Sequence, residues 1–167
     1  IPHFQLKLNP QCNIFVTVSI FVTVDNLREI TVKSASSVIS KTGFKVKNLK
    51  ITMKENSHLD LKMIEGCINM DISGSSEVNL IGKINDLKVK ISEASNLKAS
   101  SLVAHKADFI ITGASSAIIV VSEKLGFDVS KSSSLKFKSN SNPTILRSNA
   151  DYTSSVRNSF LNFIIKN

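Results

Sequence analysis

The sequence predicts an all-β chain folded as a right-handed parallel β-helix, a three-sided solenoid of about seven coils. A seven-residue pattern recurs along it, with an aliphatic residue first, Ser fifth and an apolar residue last, as in Ile72-Ser-Gly-Ser-Ser-Glu-Val78. A repeat of about twenty residues in a strand-rich sequence is typical of a solenoid. The copies begin 21, 19, 19, 20 and 18 residues apart, at Val32, Met53, Ile72, Ile91, Ile111 and Val129.

Strict alternation of apolar and polar residues precedes each copy. This period of two predicts a strand with one face in the core. The inward columns two and four residues before each start contain Ile51, Met70, Val89, Phe109 and Phe127, and Leu49, Ile68, Leu87, Ala107 and Leu125. A second inward pair follows each Ser, as in Leu59 and Leu61, and a third strand is predicted near Ile64, Ile84 and Leu102.

The pattern divides the chain into three parts. Residues 1–31 are predicted to form N-terminal capping strands, because every second residue from Ile14 to Val24 is Ile or Val. Residues 32–158 form the β-helix, which ends in a degraded seventh copy from Ala150 to Val156. The tail 159–167 is expected to close the end of the stack, since an uncapped β-helix exposes unpaired strand edges.

The serines at the fifth place form a column along the stack: Ser36, Ser57, Ser76, Ser95, Ser115 and Ser133. One interpretation is a tight corner, in which only a small side chain fits and the hydroxyl pairs with a turn amide. The other is an exposed hydroxyl ladder that meets a sugar or ice. The preceding column is also small, which favours the corner.

One segment breaks the alternation. Ala117 to Val121 is apolar throughout, as in strands that are covered on both faces. Ile118 and Val120 should point outward, with Ile81 one column over on the preceding coil. We therefore expect a contact surface here, covered by the apolar C-terminal tail or by a second copy in a homo-oligomer.

Composition limits the classes of partner. Lys and Arg exceed Asp and Glu by 21 to 13, a net charge of +8. Such a surplus indicates nucleic acid, anionic lipid or acidic polysaccharide, or else a solvated Lys-rich surface that resists aggregation. The lysines are scattered and no Arg-aromatic cluster accompanies them, which favours the solvated surface and gives no indication of nucleic-acid binding. No apolar run is long enough to span a bilayer.

Candidate catalytic and metal-binding groups are sparse. Cys12 and Cys67 lack zinc-ligand spacing, permit at most one disulfide, and are expected to be buried structural thiols. No phosphate-binding loop, nucleophile elbow or metal-ligand set occurs, so no catalytic residue, cofactor or metal is predicted.

One outward line carries charge, with Asp71, Lys90 and Asp128 interrupted by Ile110. This line is the only candidate groove for a carbohydrate-active enzyme. Asp71 and Asp128 would lie three coils apart, about 14 Å along the axis, which is too far for a pair of hydrolytic carboxylates.

The residues from Val22 to Val38, followed by coils of the Ile72-Ser-Gly-Ser-Ser type, resemble the head GIN domain of auto-transporter adhesins, over about residues 20–158. The resemblance implies an exported bacterial protein of the periplasm or cell surface, although the chain shows no signal peptide. It also implies that residues 1–24 are the end of a β-sandwich-like portion. The family defines no catalytic residues.

These observations favour a non-enzymatic binding or adhesion module that presents flat β-helix faces to a glycan or protein. A carbohydrate-active enzyme and a purely structural or assembly domain are the alternatives.

Overall fold

The computed structural model describes residues 21–23, 26–139 and 141–159, and the backbone of 163–165. Within those residues there is no helix, and eleven strands form one sheet. The strands are β1 (Glu29–Val32), β2 (Ser37–Ile39), β3 (Phe44–Met53), β4 (His58–Ile72), β5 (Glu77–Ile91), β6 (Asn96–Ile111), β7 (Ser116–Val129), β8 (Ser134–Lys138), β9 (Thr144–Ala150), β10 (Ser155–Asn158) and β11 (Phe163–Ile165).

The strands pair in parallel with the strands one coil away, in the order β1-β3-β4-β5-β6-β7-β8-β10, while β2 pairs with β4 and β9 with β7. The register follows the repeat, since Met53 pairs with Ile72, Ile72 with Ile91 and Ile91 with Ile111. The result is a β-solenoid of about seven turns. The predicted parallel stack of coils is confirmed.

The core is a set of apolar columns that run along the axis. Ile51, Met70, Val89, Phe109 and Phe127 stand in register on successive coils and are at most 3 % exposed. Each side chain therefore packs on its equivalents above and below. Because apolar burial contributes about 25 cal/mol per Å² of surface removed from water, each coil is stabilised mainly by its neighbours.

The first six copies of the repeat each turn sharply at a two-residue corner with left-handed backbone. The corner pairs are Ser34-Ala35, Glu55-Asn56, Gly74-Ser75, Glu93-Ala94, Gly113-Ala114 and Lys131-Ser132, with φ between 56° and 69°. Corners stack through backbone hydrogen bonds, as when the Ser75 amide donates to the Glu93 carbonyl at 2.8 Å and the Ala94 amide to the Gly113 carbonyl at 2.8 Å.

The prediction for the third strand was wrong at one position. Ile64 is 52 % exposed, whereas its neighbour Met63 is 3 % exposed and contributes to the core. Phe44 pairs with Met63 and Lys45 with Glu65, which leaves Ile64 as the extra residue of a β-bulge. Ile84 and Leu102 are buried as predicted.

The last coil ends in an added strand. β11, which lies within the tail predicted as a cap, pairs antiparallel with β10, with Val156 opposite Ile165. The N-terminal strands predicted between Ile14 and Val24 lie almost wholly outside the described residues. The described part of the chain contains no helix long and apolar enough to cross a membrane.

Candidate functional site

The serine column lies inside the corners. Ser57, Ser76, Ser95, Ser115 and Ser133 are at most 2 % exposed. The amide of each serine donates to the hydroxyl of the serine on the next coil, from Ser57 to Ser76 at 3.3 Å through to Ser133 and Ser154 at 3.2 Å. Ser36, on the first corner, is the exception and is exposed. A ligand has no access to the five buried hydroxyls.

Ile118 and Val120 lie on the outer surface of β7, where Ile118 is 38 % exposed and Val120 is half-buried. Ile81, 40 % exposed, is two coils from Ile118 rather than one, since β5 pairs with β6 and β6 with β7. The placement of Ile81 on the adjacent coil was therefore wrong. β11 continues the sheet beyond β10 and does not cross the surface at Ile118.

The charged line of the enzyme alternative is in register but spread out. Asp71 pairs with Lys90, Lys90 with Ile110 and Ile110 with Asp128. The two carboxylates are thus three coil spacings apart, about 14 Å. The structure does not bring them together, and Lys90 is placed to balance Asp71 on the adjacent coil.

His105 has two partners that sequence reasoning missed. Its Nδ1 lies 3.2 Å from the Ser122 hydroxyl and 3.1 Å from a Glu123 carboxylate oxygen. Ala104 pairs with Val121 and Lys106 with Lys124, so a bulge sets Ser122 and Glu123 opposite His105. A nucleophilic triad needs the hydroxyl and the carboxylate on different ring nitrogens. Both contacts here are to Nδ1, so the cluster cannot relay a proton as a triad does.

Cys67 is a half-buried free thiol whose Sγ lies 3.6 Å from Asp86 Oδ2. Burial, together with the nearby Asp86 carboxylate, raises the pKa of the thiol. A raised pKa reduces the thiolate fraction and hence reactivity. Cys12, the other predicted structural thiol, lies outside the described residues.

A shallow depression of about 490 Å³ crosses the first coils on the surface that precedes the corners. Arg28, Lys50, Lys88 and Asp86 contribute charges of both signs to its lining. It is open to solvent. Among the described residues, no cluster of His, Cys, Asp or Glu could hold a metal ion.

The surface that follows the corners carries continuous rows of outward side chains. We call it the post-corner face, and it consists of outward side chains in β2, β8, β10 and the first halves of β4 to β7. One row on it contains Ser37, His58, Glu77, Asn96, Ser116, Ser134 and Ser155, and the next contains Ile39, Asp60, Asn79, Lys98, Ile118, Lys136 and Arg157. Neighbours in these rows interact, as in the ion pair of Lys98 with Glu77 and the 2.7 Å hydrogen bond from Ser116 to Asn96.

The chain shows no significant similarity to any curated protein or to any solved structure. A family model does match, over residues 4–141. That range contains the six copies of the repeat that begin at Val32 to Val129, with their serine corners, and ends before the seventh. The chain therefore belongs to the family described as "Putative auto-transporter adhesin, head GIN domain".

Proposed function

We propose that this chain is a non-enzymatic binding module that meets a glycan or protein ligand with its post-corner face, in an adhesive role at the periplasmic or outer surface of the cell. The observation that carries the proposal is the row from Ser37 to Ser155, in which seven consecutive coils each contribute one side chain. Family membership supports the adhesive role, because the family is described as an adhesin head domain.

A surface of this kind suits binding by many weak contacts. Adjacent strands hold their side chains about 4.8 Å apart, so the row spans roughly 29 Å without a break. The backbone beneath it is fixed by the stack, so little further ordering opposes association. Repeated weak contacts along one rigid face also combine into avidity when the ligand itself repeats.

The test is to present the full chain to immobilised neutral and acidic polysaccharides and to bacterial and host cell surfaces, and to measure retention and product release together. Saturable retention without release of shorter or unsaturated sugars is the expected result. Release of such products, abolished by combining Asp71→Asn, Lys90→Gln and Asp128→Asn, would instead establish the enzyme. No retention on any surface would remove the adhesive role.

A further inference from the structure

Four cations gather around two apolar side chains on the C-terminal half of the post-corner face. Lys136 pairs with Ile118 on one side and Arg157 on the other, and Lys98 lies beyond Ile118 in the same row. Lys138 pairs with Val120 in the adjacent row. We call this surface the basic patch; it consists of Lys98, Ile118, Val120, Lys136, Lys138 and Arg157. All four of its cations are exposed.

Elsewhere on the solenoid, two charged residues that are in register on neighbouring coils usually have opposite signs. Lys45 lies 3.0 Å from Glu65 and Lys50 lies 2.9 Å from Glu29. Lys106 does pair with Lys124, but Asp86 is its partner on the other side. Opposite charges in register are therefore the rule on the outer surface of the solenoid outside the basic patch.

The basic patch departs from that rule. Lys136 is directly opposite Arg157, and β8, β10 and the first half of β7 contribute no Asp or Glu to this face. Within the part of the chain that the structure describes, Lys98 alone among the four has an acidic partner, Glu77. Like charges in register about 4.8 Å apart destabilise a sheet, and nothing in the core requires these outward residues to be cationic. A bound polyanion would remove that repulsion.

We propose that the basic patch binds an anionic polysaccharide that lies along the stack. This inference rests on the proposed function and specifies its ligand. Carboxylate or sulfate groups of the ligand meet Lys136, Lys138 and Arg157. Its hydroxyls exchange hydrogen bonds with the neighbouring polar row, to which Ser134 and Ser155 belong. Ile118 and Val120 contact the apolar faces of the sugar rings.

The surroundings of the patch disfavour other polyanions. Single-stranded nucleic acid binds to aromatic stacking platforms, and the described outward residues of this face include no Phe, Tyr or Trp. Stable peripheral binding to an anionic membrane needs a broad apolar surface as well as cations, whereas the patch contains one Ile and one Val. A second copy packed patch to patch would oppose cation to cation, and this repulsion disfavours a symmetric homodimer contact through these residues.

The row of polar side chains beside the cations favours a polysaccharide over an acidic protein as the ligand. Asn96, Ser116, Ser134 and Ser155 follow one another in register beside the cations. Each coil thus offers one hydroxyl or amide and, in the next row, one cation or aliphatic side chain. A polymer of similar units, each with hydroxyl groups and a negative charge, matches such a repeat.

Equilibrium binding of the full chain to immobilised polygalacturonate and heparin at physiological salt tests the proposal. The double variant K136Q/R157Q should raise Kd about threefold to tenfold, since two exposed ionic contacts are lost. K47Q/K83Q is the matched control, because it removes the same net charge from exposed lysines on other surfaces and should leave Kd within about twofold. The charge-conserving variant K136R/R157K should bind like the wild type.

Equal weakening by both double variants would overturn the proposal, because only net charge would then matter. Tighter binding to polyglutamate, duplex DNA or phosphatidylserine vesicles than to either polysaccharide would overturn it as well. If the wild type binds neither polygalacturonate nor heparin, but the wild type and K136Q/R157Q bind neutral glycans or cells equally well, the patch assignment is wrong and the adhesive function stands. If the wild type binds no glycan, protein or cell surface, both are wrong.

Discussion

Arg147 reaches back across two coils and places its Nη2 2.7 Å from Asp108 Oδ1 and 3.3 Å from the carbonyl of Phe109. Gly126 lies between them in register, paired with Asp108 on one side and Arg147 on the other. A Cβ at Gly126 would stand 2.7 Å from the Asp108 carboxylate. Because glycine has no side chain, Arg147 has room to reach Asp108 and to connect the last coil to the coils before it.

A double-mutant cycle on Arg147→Ala and Asp108→Ala should give a coupling of about 0.5–1 kcal/mol in the free energy of unfolding. The value is modest because the two side chains are 39 % and 46 % exposed, so solvent screens the pair. The Lys45–Glu65 pair, at 65 % and 56 % exposure, is the control and should couple more weakly. Equal coupling in both pairs would remove the special role of Arg147.

Replacing Ser95 by Ala should lower the free energy of unfolding by about 1–3 kcal/mol. The Ser76 amide donates to the Ser95 hydroxyl at 3.1 Å in a buried corner, and the substitution leaves that amide without an acceptor. Ser100→Ala, on an exposed residue, should change stability by less than about 0.5 kcal/mol. Denaturant unfolding measures both. Similar values for the two would show that the buried hydroxyls contribute nothing specific.

The left-handed backbone of the corners predicts that introducing a glycine there stabilises the fold and that removing one destabilises it. Glu93 has φ of 57°, which is unfavourable for a residue with a side chain, so Glu93→Gly should stabilise the fold by about 0.5–1 kcal/mol. Gly74 has φ of 67°, and an added Cβ would lie 2.7 Å from the Glu55 amide nitrogen. Gly74→Ala should destabilise the fold by about 1–3 kcal/mol. Thermal unfolding measures the change in stability of both variants. Changes of the same sign would contradict the corner geometry.

The last corner should be sensitive to acid. Hydrogen bonds from the Ser154 side chain and the Lys131 amide, together with those from Thr153, lower the pKa of Asp151 to about 2. Because the folded-state pKa lies below the ordinary value near 3.9, the stabilisation is present above pH 4 and is lost as the pH falls through 2.

Hydrogen exchange of the Lys131 amide measures this acid sensitivity after correction for the intrinsic rate. Its protection should fall between pH 4 and pH 2 in the wild type. In Asp151→Asn, protection should be lower at pH 4 and change little over that range. An equal pH dependence in both proteins would assign the transition to another group.

The repeated part of the fold is predictable because every coil obeys the same steric rule. The inward columns, exemplified by Ile72, Ile91 and Ile111, can be read from period and spacing, and all three are at most 1 % exposed. The bulge that exposes Ile64 could not be read in this way. A bulge inserts one residue in one strand, and the apolar residues on both sides of the insertion match an inward column equally well.

The basic patch and the contact between Arg147 and Asp108 could not be predicted from the sequence, because both depend on which coils are adjacent and in which register they pair. Along the sequence Lys98, Lys136 and Arg157 are far apart and look like scattered lysines and arginines on a solvated surface. Only the pairing of β6, β7, β8 and β10 places them in one row. For the contact between Arg147 and Asp108, the one available signal in the sequence was Gly126. It occupies a column that otherwise holds polar side chains.

Distances between spin labels on the post-corner face test the parallel stack most directly. In a Cys12→Ala, Cys67→Ala background, one label replaces Ser37 and the second replaces Ser116, Ser134 or Ser155, which lie four, five and six coil steps away. The account predicts narrow distributions that grow by about 4.8 Å per coil, near 19, 24 and 29 Å. Distances that do not increase in this order, or that scatter broadly, would contradict it.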